Sequence, residues 1–263
     1  MAHADTGSLG VLPRRFQHAT RLIVDWIPLA IVVVLWEFAS GTAVPADVLP
    51  SPVTVSVQIA DLLATGEIFS HLFVSLFRFG VGLGLSIAVG VVLGIGMARS
   101  APIENFFDVF LSMLYPIPKV ALVPLAMLWL GVGTGPAVLV VFLACLLPII
   151  MNSYNAAGDV DQNLVWSAKM MGTEGWELLR KVVIPATIPH ILTGIRQAIP
   201  IAFIALVSAE LVASYEGIGY LILEAGQVGN YSLMFANIVV ISAVAYAFVT
   251  GFEIARDRVV VWT

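Results

Sequence analysis

Charge is what this chain has least of. Charged residues are 11% of its 263 positions, against about 25% in an average soluble domain. Hydrophobic residues are 60%, and mean hydropathy is +1.00. A water-soluble fold of this length has too little polar surface to cover so much apolar chain, which makes the bilayer its solvent. Cysteine is nearly missing too. Cys145 alone excludes a disulfide framework and, set in an apolar run, reads as a core thiol. The four histidines (3, 18, 71 and 190) are scattered. With no metal-spaced His/Cys cluster, no Gly-rich phosphate loop and no basic nucleic-acid surface, a metal centre, ATP binding by this chain and a nucleic-acid partner are all disfavoured. No sizeable soluble domain fits between the apolar runs.

What basic residues there are mark orientation. A membrane helix needs about 20 mostly apolar residues. The sequence predicts six: 22–40, 75–98, 106–131, 136–155, 188–213 and 233–255. Of the 12 Lys and Arg, Arg14, Arg15 and Arg21 precede the first span, and Arg99 separates the second from the third. Lys169, Arg180 and Lys181 fall between the fourth and fifth, and Arg256 and Arg258 follow the sixth. Loops 41–74, 132–135 and 214–232 have none. The positive-inside rule then places both termini and the 156–187 insert in the cytoplasm. Residues 1–21 read as a cytoplasmic segment and 22–263 as one transmembrane domain. The run after Arg21 is longer than a signal-peptide core and carries Asp25 and Glu37, so it reads as an uncleaved first helix. The expected class is an all-α integral membrane protein.

Inside the spans, a few patterns stand out. Gly82, Ser86, Gly90 and Gly94 recur every four residues, a stripe where another helix can approach closely, and Gly80 and Gly84 add a second pair. Pro116, Pro118 and Pro124 should kink or break the third span. A short surface helix is expected from about Val53 to Ala64. Arg78, Lys119, Arg196 and Glu210 are charges within the apolar runs, where each costs about 3 kcal/mol on insertion scales. Two readings stay open for Lys119 and Glu210. Glu210 pairs with a Lys or Arg and fixes helix packing, or Lys119 lends positive charge to an anion path. Ser208 and Asn152 either line a polar path or bond a backbone carbonyl. Arg196 and Glu253 read as groups reaching the headgroup layer.

The polar insert at about 160–181 is the most informative stretch. Asp159 followed by Gln162 suits a helix start. Leu164, Ala168 and Met171 form one apolar face, and Gly172 closes the helix in a left-handed turn. Thr173 is placed to cap a second short helix whose apolar face is Trp176, Leu179 and Val183. From the residues alone, the insert is either an amphipathic loop on the headgroups or a docking element for a soluble partner.

Ala168-x3-Gly172, Trp176, Arg180, Ile184-Pro185 and Ile188-Pro189 resemble the "EAA" loop in permease subunits of binding-protein-dependent ABC importers. Further segments resemble the nitrate/sulfonate/taurine branch: Leu49-Pro50-Ser51-Pro52, Ser75-Leu76-x-Arg78, Pro116-x-Pro118-Lys119, Thr193-Gly194-Ile195-Arg196, Ala209-Glu210 and Gly217-Ile218-Gly219-Tyr220. Trp166 and Ser167 stand where the motif has Glu and Ala. The resemblance implies a type I ABC importer permease fold. It also implies that Ala168, Lys169, Met171, Gly172, Thr173, Glu174 and Trp176 couple to an ATPase. A pathway near Pro116, Pro118, Lys119, Ser208 and Glu210 would run along the interface of two copies. The implied partners are an ATPase dimer that binds ATP and Mg, an extracytoplasmic solute-binding protein and the prokaryotic cytoplasmic membrane. The rival from a different class is an ion-coupled secondary transporter using Lys119 and Glu210. It leaves the 160–181 insert without a task, and the spans show no clear inverted repeat.

Overall fold

The computed structural model describes residues 14–259, with side chains described over 27–258. Apart from helical backbone from Arg14 onward, the expected 1–21 segment lies outside the described residues, as does the side chain of Asp25. The elements in chain order are α1 (Arg14–Ala39), α2 (Pro52–Thr65), α3 (Glu67–Arg99), α4 (Ala101–Leu114), a 3₁₀ turn (Lys119–Leu122) and α5 (Val123–Leu130). They continue with α6 (Thr134–Gly158), α7 (Gln162–Met170), α8 (Gly175–Leu178), a π-helical turn (Leu179–Val183), α9 (Ile184–Ala213), α10 (Ile218–Gln227) and α11 (Tyr231–Val259). The chain divides into two compact units after Val57. In the first, Trp36 Nε1 donates to Pro50 O at 3.0 Å and Ser40 Oγ to Leu49 O at 2.7 Å, closing the turn that follows α1.

The count of six spans needs correction. Among the described residues, four stretches are long and apolar enough to cross a bilayer: Glu67–Arg99, Thr134–Gly158, Gly175–Ala213 and Tyr231–Arg258. The expected third span is Ala101–Leu114 followed by Lys119–Leu130, bent by 89°, and it makes a fifth crossing only if the two pieces count as one. The cause is local. Pro116 and Pro118 remove backbone donors where α4 would have continued. Of the first expected span, the described apolar part is Ile27–Ala39, a shorter helix. The surface helix expected within loop 41–74 is α2.

The second unit is built around α6, which packs against α3 on one side and α9 on the other. The α3 face is the small-residue stripe. A Cβ at Gly82 would lie 2.7 Å from Val141 Cγ1, one at Gly90 2.8 Å from Ile149 Cγ2, and one at Gly94 2.6 Å from Ile150 O. Ser86 Oγ bonds both Gly82 O and, across the interface, Phe142 O at 2.8 Å. A Cβ at Gly80 or Gly84 would meet nothing within 4 Å, so the second pair makes no close approach among the described residues. On α9 the close face is alanine: Ala198, Ala202, Ala205, Ala209 and Ala213 are buried. Gly194 sits where a Cβ would come within 2.6 Å of Asn152 Cβ. Cys145 is a core thiol, its Sγ 3.5 Å from Ala198 O. Phe79, Phe203 and Phe248 join α3, α9 and α11 with ring centroids 4.3–5.8 Å apart, a favourable aromatic spacing. Arg196 forms an ion pair with Glu253, tying α9 to α11.

Candidate functional site

Two assemblies lie toward opposite ends of α3, a polar knot and a cap held by apolar packing. Ser75 and Arg78 belong to one and Ile95 to the other. Twenty residues at 1.5 Å each separate Ser75 from Ile95 by about 30 Å, the thickness of a hydrocarbon core.

At the Ser75 end, Glu210 of α9 is 1% exposed. Its carboxylate is fully engaged. Arg78 Nη1 donates to Oε1 at 2.8 Å, Ser75 Oγ lies 2.9 and 2.8 Å from the two oxygens, and the Gly219 N–H donates to Oε2 at 3.0 Å. Arg78 also donates to Glu216 O at 2.7 Å and, through Nε, to Thr134 Oγ1 at 3.3 Å. The Ile218 N–H donates to Ser75 Oγ and the Gly217 N–H to His71 Nδ1. A charge buried this deeply survives only with such company. Gly217 has φ +110°, and a Cβ there would fall 2.4 Å from Glu210 Oε1. The knot therefore fixes α3, α6, α9 and the loop before α10 together.

The structure pairs Glu210 with Arg78, which the sequence left as one of three intramembrane cations, and not with Lys119. Lys119 stands at the break between α4 and α5, where Nζ donates to Leu114 O at 2.7 Å and Tyr115 O at 2.9 Å. These carbonyls lie at the end of α4, and a cation there is favourable. An ammonium has three donors, and these two bonds leave one. Pro116 and Pro118 are exposed beside it. Ser208 Oγ bonds Ile204 O within α9, and the residue lines a cleft of about 480 Å³ between α9, α10 and α11. Asn152 bonds Pro148 O and Gln197 Oε1.

At the other end, residues 160–181 form a helix–turn–helix cap. Asp161, not Asp159, caps α7, its carboxylate accepting from the Asn163 N–H at 2.8 Å. Gly172 has φ +84°, and the Thr173 N–H reaches Ala168 O at 3.0 Å while the Gly172 N–H reaches Lys169 O at 2.9 Å. That is a Schellman closure, which a Cβ disfavours. Thr173 does not cap the second helix; Glu174 holds that position without a side-chain bond, and Gly175 supplies another positive φ of +57°. The buried face is as expected at Ala168 and Val183 and shifted by one residue at Val165 and Leu178. Val165, Ala168, Leu178 and Val183 pack with Ile95, Ile191 and Ile195. Leu164, Trp166 and Trp176 are exposed, with Met170 at 91% and Met171 at 78%. Lys169 and Glu174 are exposed beside them, and Thr173 is half-buried. Val165 and Leu178 escaped the sequence reading because it set the inward face one position away, and exposed Met170 escaped because it took apolar to mean buried.

Long apolar helices, one proline break and a seated cap that leaves apolar side chains uncovered describe a multi-pass membrane protein. The sequence profile of the binding-protein-dependent transport system inner membrane component family matches residues 86–259, and the chain belongs to that family. It is 34% identical over 216 residues to a Bacillus subtilis protein provisionally named an aliphatic sulfonates transport permease, covering 82% of this chain and 78% of that one. It is 27% identical to the taurine transport system permease of Escherichia coli, over 88% of this chain and 86% of the relative. In fold it resembles the MetNI methionine ABC transporter solved in inward-facing conformations, with TM-score 0.61, 17% identity, and coverage of 72% of this chain and 92% of that one. The protein is thus the multi-pass, non-catalytic permease component of an ABC importer, and ATP hydrolysis resides in a separate subunit. The secondary-transporter reading falls with the family assignment and with the separation of Lys119 from Glu210's ion pair.

Proposed function

We propose that this permease moves a small anionic solute, sulfonate- or nitrate-like, into the cell. Two copies form the pathway, an ATPase dimer holds residues 160–181, and a solute-binding protein delivers substrate at loops 41–74 and 214–232. ATP and Mg are bound by the ATPase. Both termini and the cap lie on the cytoplasmic side, following the distribution of Lys and Arg. The transmembrane domain runs from about residue 22 to 263.

The observation that carries the coupling role is the cap itself. Its inward face is held by Val165, Ala168 and Leu178, while Met170 and Met171 project at a fixed turn. Adaptable thioether side chains suit a contact surface. The path passes the break, where Pro116 and Pro118 expose backbone and Lys119 presents its third donor; Ser208 contributes from α9. Glu210 is closed into the knot and takes no part. The anionic substrate class is supported by Lys119 and by the names of the two relatives.

The test is ATPase stimulation in the assembled importer, with its binding protein, by taurine, alkanesulfonates and nitrate against uncharged and cationic solutes of similar size. Stimulation restricted to the cationic or uncharged solutes overturns the substrate class. Met170→Glu with Met171→Glu should abolish ATPase retention on the purified permease while the permease still inserts; unchanged retention overturns the docking role. For Lys119, Lys119→Met should lose uptake at unchanged yield, and Lys119→Arg should keep part of it.

A further inference from the structure

Between the end of α3, the start of α9 and the cap lies a cleft of about 470 Å³. Its walls are apolar, formed by Val92, Ile95, Ile188 and Leu192, and Arg99 and Trp176 belong to the same lining. Arg99 is exposed and has no ion pair among the described residues. Trp176 is 71% exposed and its indole N–H has no partner among them. A second cleft of similar size, about 530 Å³ between α3, α9 and α11, is lined by Phe79, Leu83 and Phe248 and carries no charge. The first cleft is therefore set apart by two unengaged donors, one cationic, beside an acyl-sized apolar groove. It lies where α3 runs out of apolar residues, at the level of the lipid headgroups.

We infer that this cleft binds an anionic phospholipid of the bilayer, with the phosphate on Arg99 and Trp176 and an acyl chain between α3 and α9. Basic pockets between membrane helices hold anionic headgroups in this way, and Trp is at home at that depth. An exposed cation at the rim of an apolar groove complements the phosphate and the acyl chain of one lipid molecule. The inference requires only that the end of α3 lies at a membrane interface. It does not depend on the substrate or on docking at Met170 and Met171. Because Trp176 and Leu179 are part of both the cleft lining and the cap, the bound lipid braces the cap from its membrane side.

Gly96 offers a clean probe. It lines the cleft, has an ordinary helical φ, and a Cβ there meets nothing within 4 Å, so Gly96→Leu fills the groove without a backbone clash. The full-length permease is reconstituted with phosphatidylglycerol and phosphatidylcholine, extracted, and its retained lipid measured by native mass spectrometry. Wild type should retain phosphatidylglycerol in preference. Arg99→Gln should reduce that preference about fivefold, the effect of one interfacial cation, and Arg99→Lys should restore most of it. Gly96→Leu should abolish retention while the thermal melt is unchanged or higher. Equal retention of both lipids, or retention unaffected by Arg99→Gln and Gly96→Leu, overturns the site. So does displacement by excess inorganic phosphate, which would assign the rim to a soluble anion. Loss of self-association in Gly96→Leu with lipid retention intact would assign the groove to a second copy and overturn it equally.

Discussion

Gly217 in the knot and Gly172 in the cap both adopt positive φ, +110° and +84°, yet their surroundings differ. A side chain at Gly217 would collide with the Glu210 carboxylate, whereas one at Gly172 would meet nothing within 4 Å. The first glycine is needed for shape and for room, the second for shape alone. The same contrast holds for the neighbourhoods. The knot buries its charges and satisfies every Glu210 oxygen from within the chain. The cap buries only its underside and leaves Met170, Met171 and Trp166 uncovered. An assembly complete in itself resembles a structural fixture, and one left incomplete on its outward face resembles a joint.

The sharpest way to break that contrast is to cut the ion pair. Glu210→Ala or Arg78→Met should each cost about 3–5 kcal/mol, because the surviving charge stays buried. Replacing both, Arg78→Met with Glu210→Leu, should recover much of the loss. Thermal unfolding of purified permease reads this, and neutral single variants would show that the knot is dispensable. Next in size is Gly217→Ala, which forces overpacking against Glu210 at about 1–3 kcal/mol. Gly172→Ala should cost about 1–2 kcal/mol of backbone strain. If the two alanine variants melt together, the distinction between the glycines is wrong. Gly172→Val should go further in function than in stability: normal insertion, but no substrate-stimulated ATPase activity in the assembled importer. Asp161→Ala removes the α7 cap and should cost about 1 kcal/mol, read as faster amide exchange confined to residues 162–170. Smallest of all is Lys181→Gln. Its ion pair with Glu177 is more than half exposed on both sides, so neither melting temperature nor uptake should change measurably.

How much of this was legible depended on what each residue had to do. The stripe of Gly82, Ser86, Gly90 and Gly94 was legible because close helix contact is written as the absence of side chains, at a spacing that one helix alone defines. The break after α4 was announced by Pro116 and Pro118, but prolines do not set an angle, and the 89° bend could not be read from them. The partner of Glu210 was not legible. Arg78 lies 132 positions away, and only the packing of α3 against α9 chooses it over Lys119 and Arg196. The face of α7 was misjudged for the opposite reason. Amphipathic reading assumes that apolar residues turn inward, and Leu164 and Met171, both exposed, violate that assumption.

The glycine stripe has a mechanical consequence. Helices usually slide past one another by changing rotamers at their contact, and between α3 and α6 the contact at Gly82, Gly90 and Gly94 offers almost none to change. The two helices are consequently geared together. The cap is seated on one end of α3 and the Glu210 knot clamps the other, so under the docking role proposed above a push on the cap would be carried along α3. The α3–α6 pair would then tilt as a single lever arm, its Ile95 and Ser75 levels about 30 Å apart, and move the loop that carries Gly217.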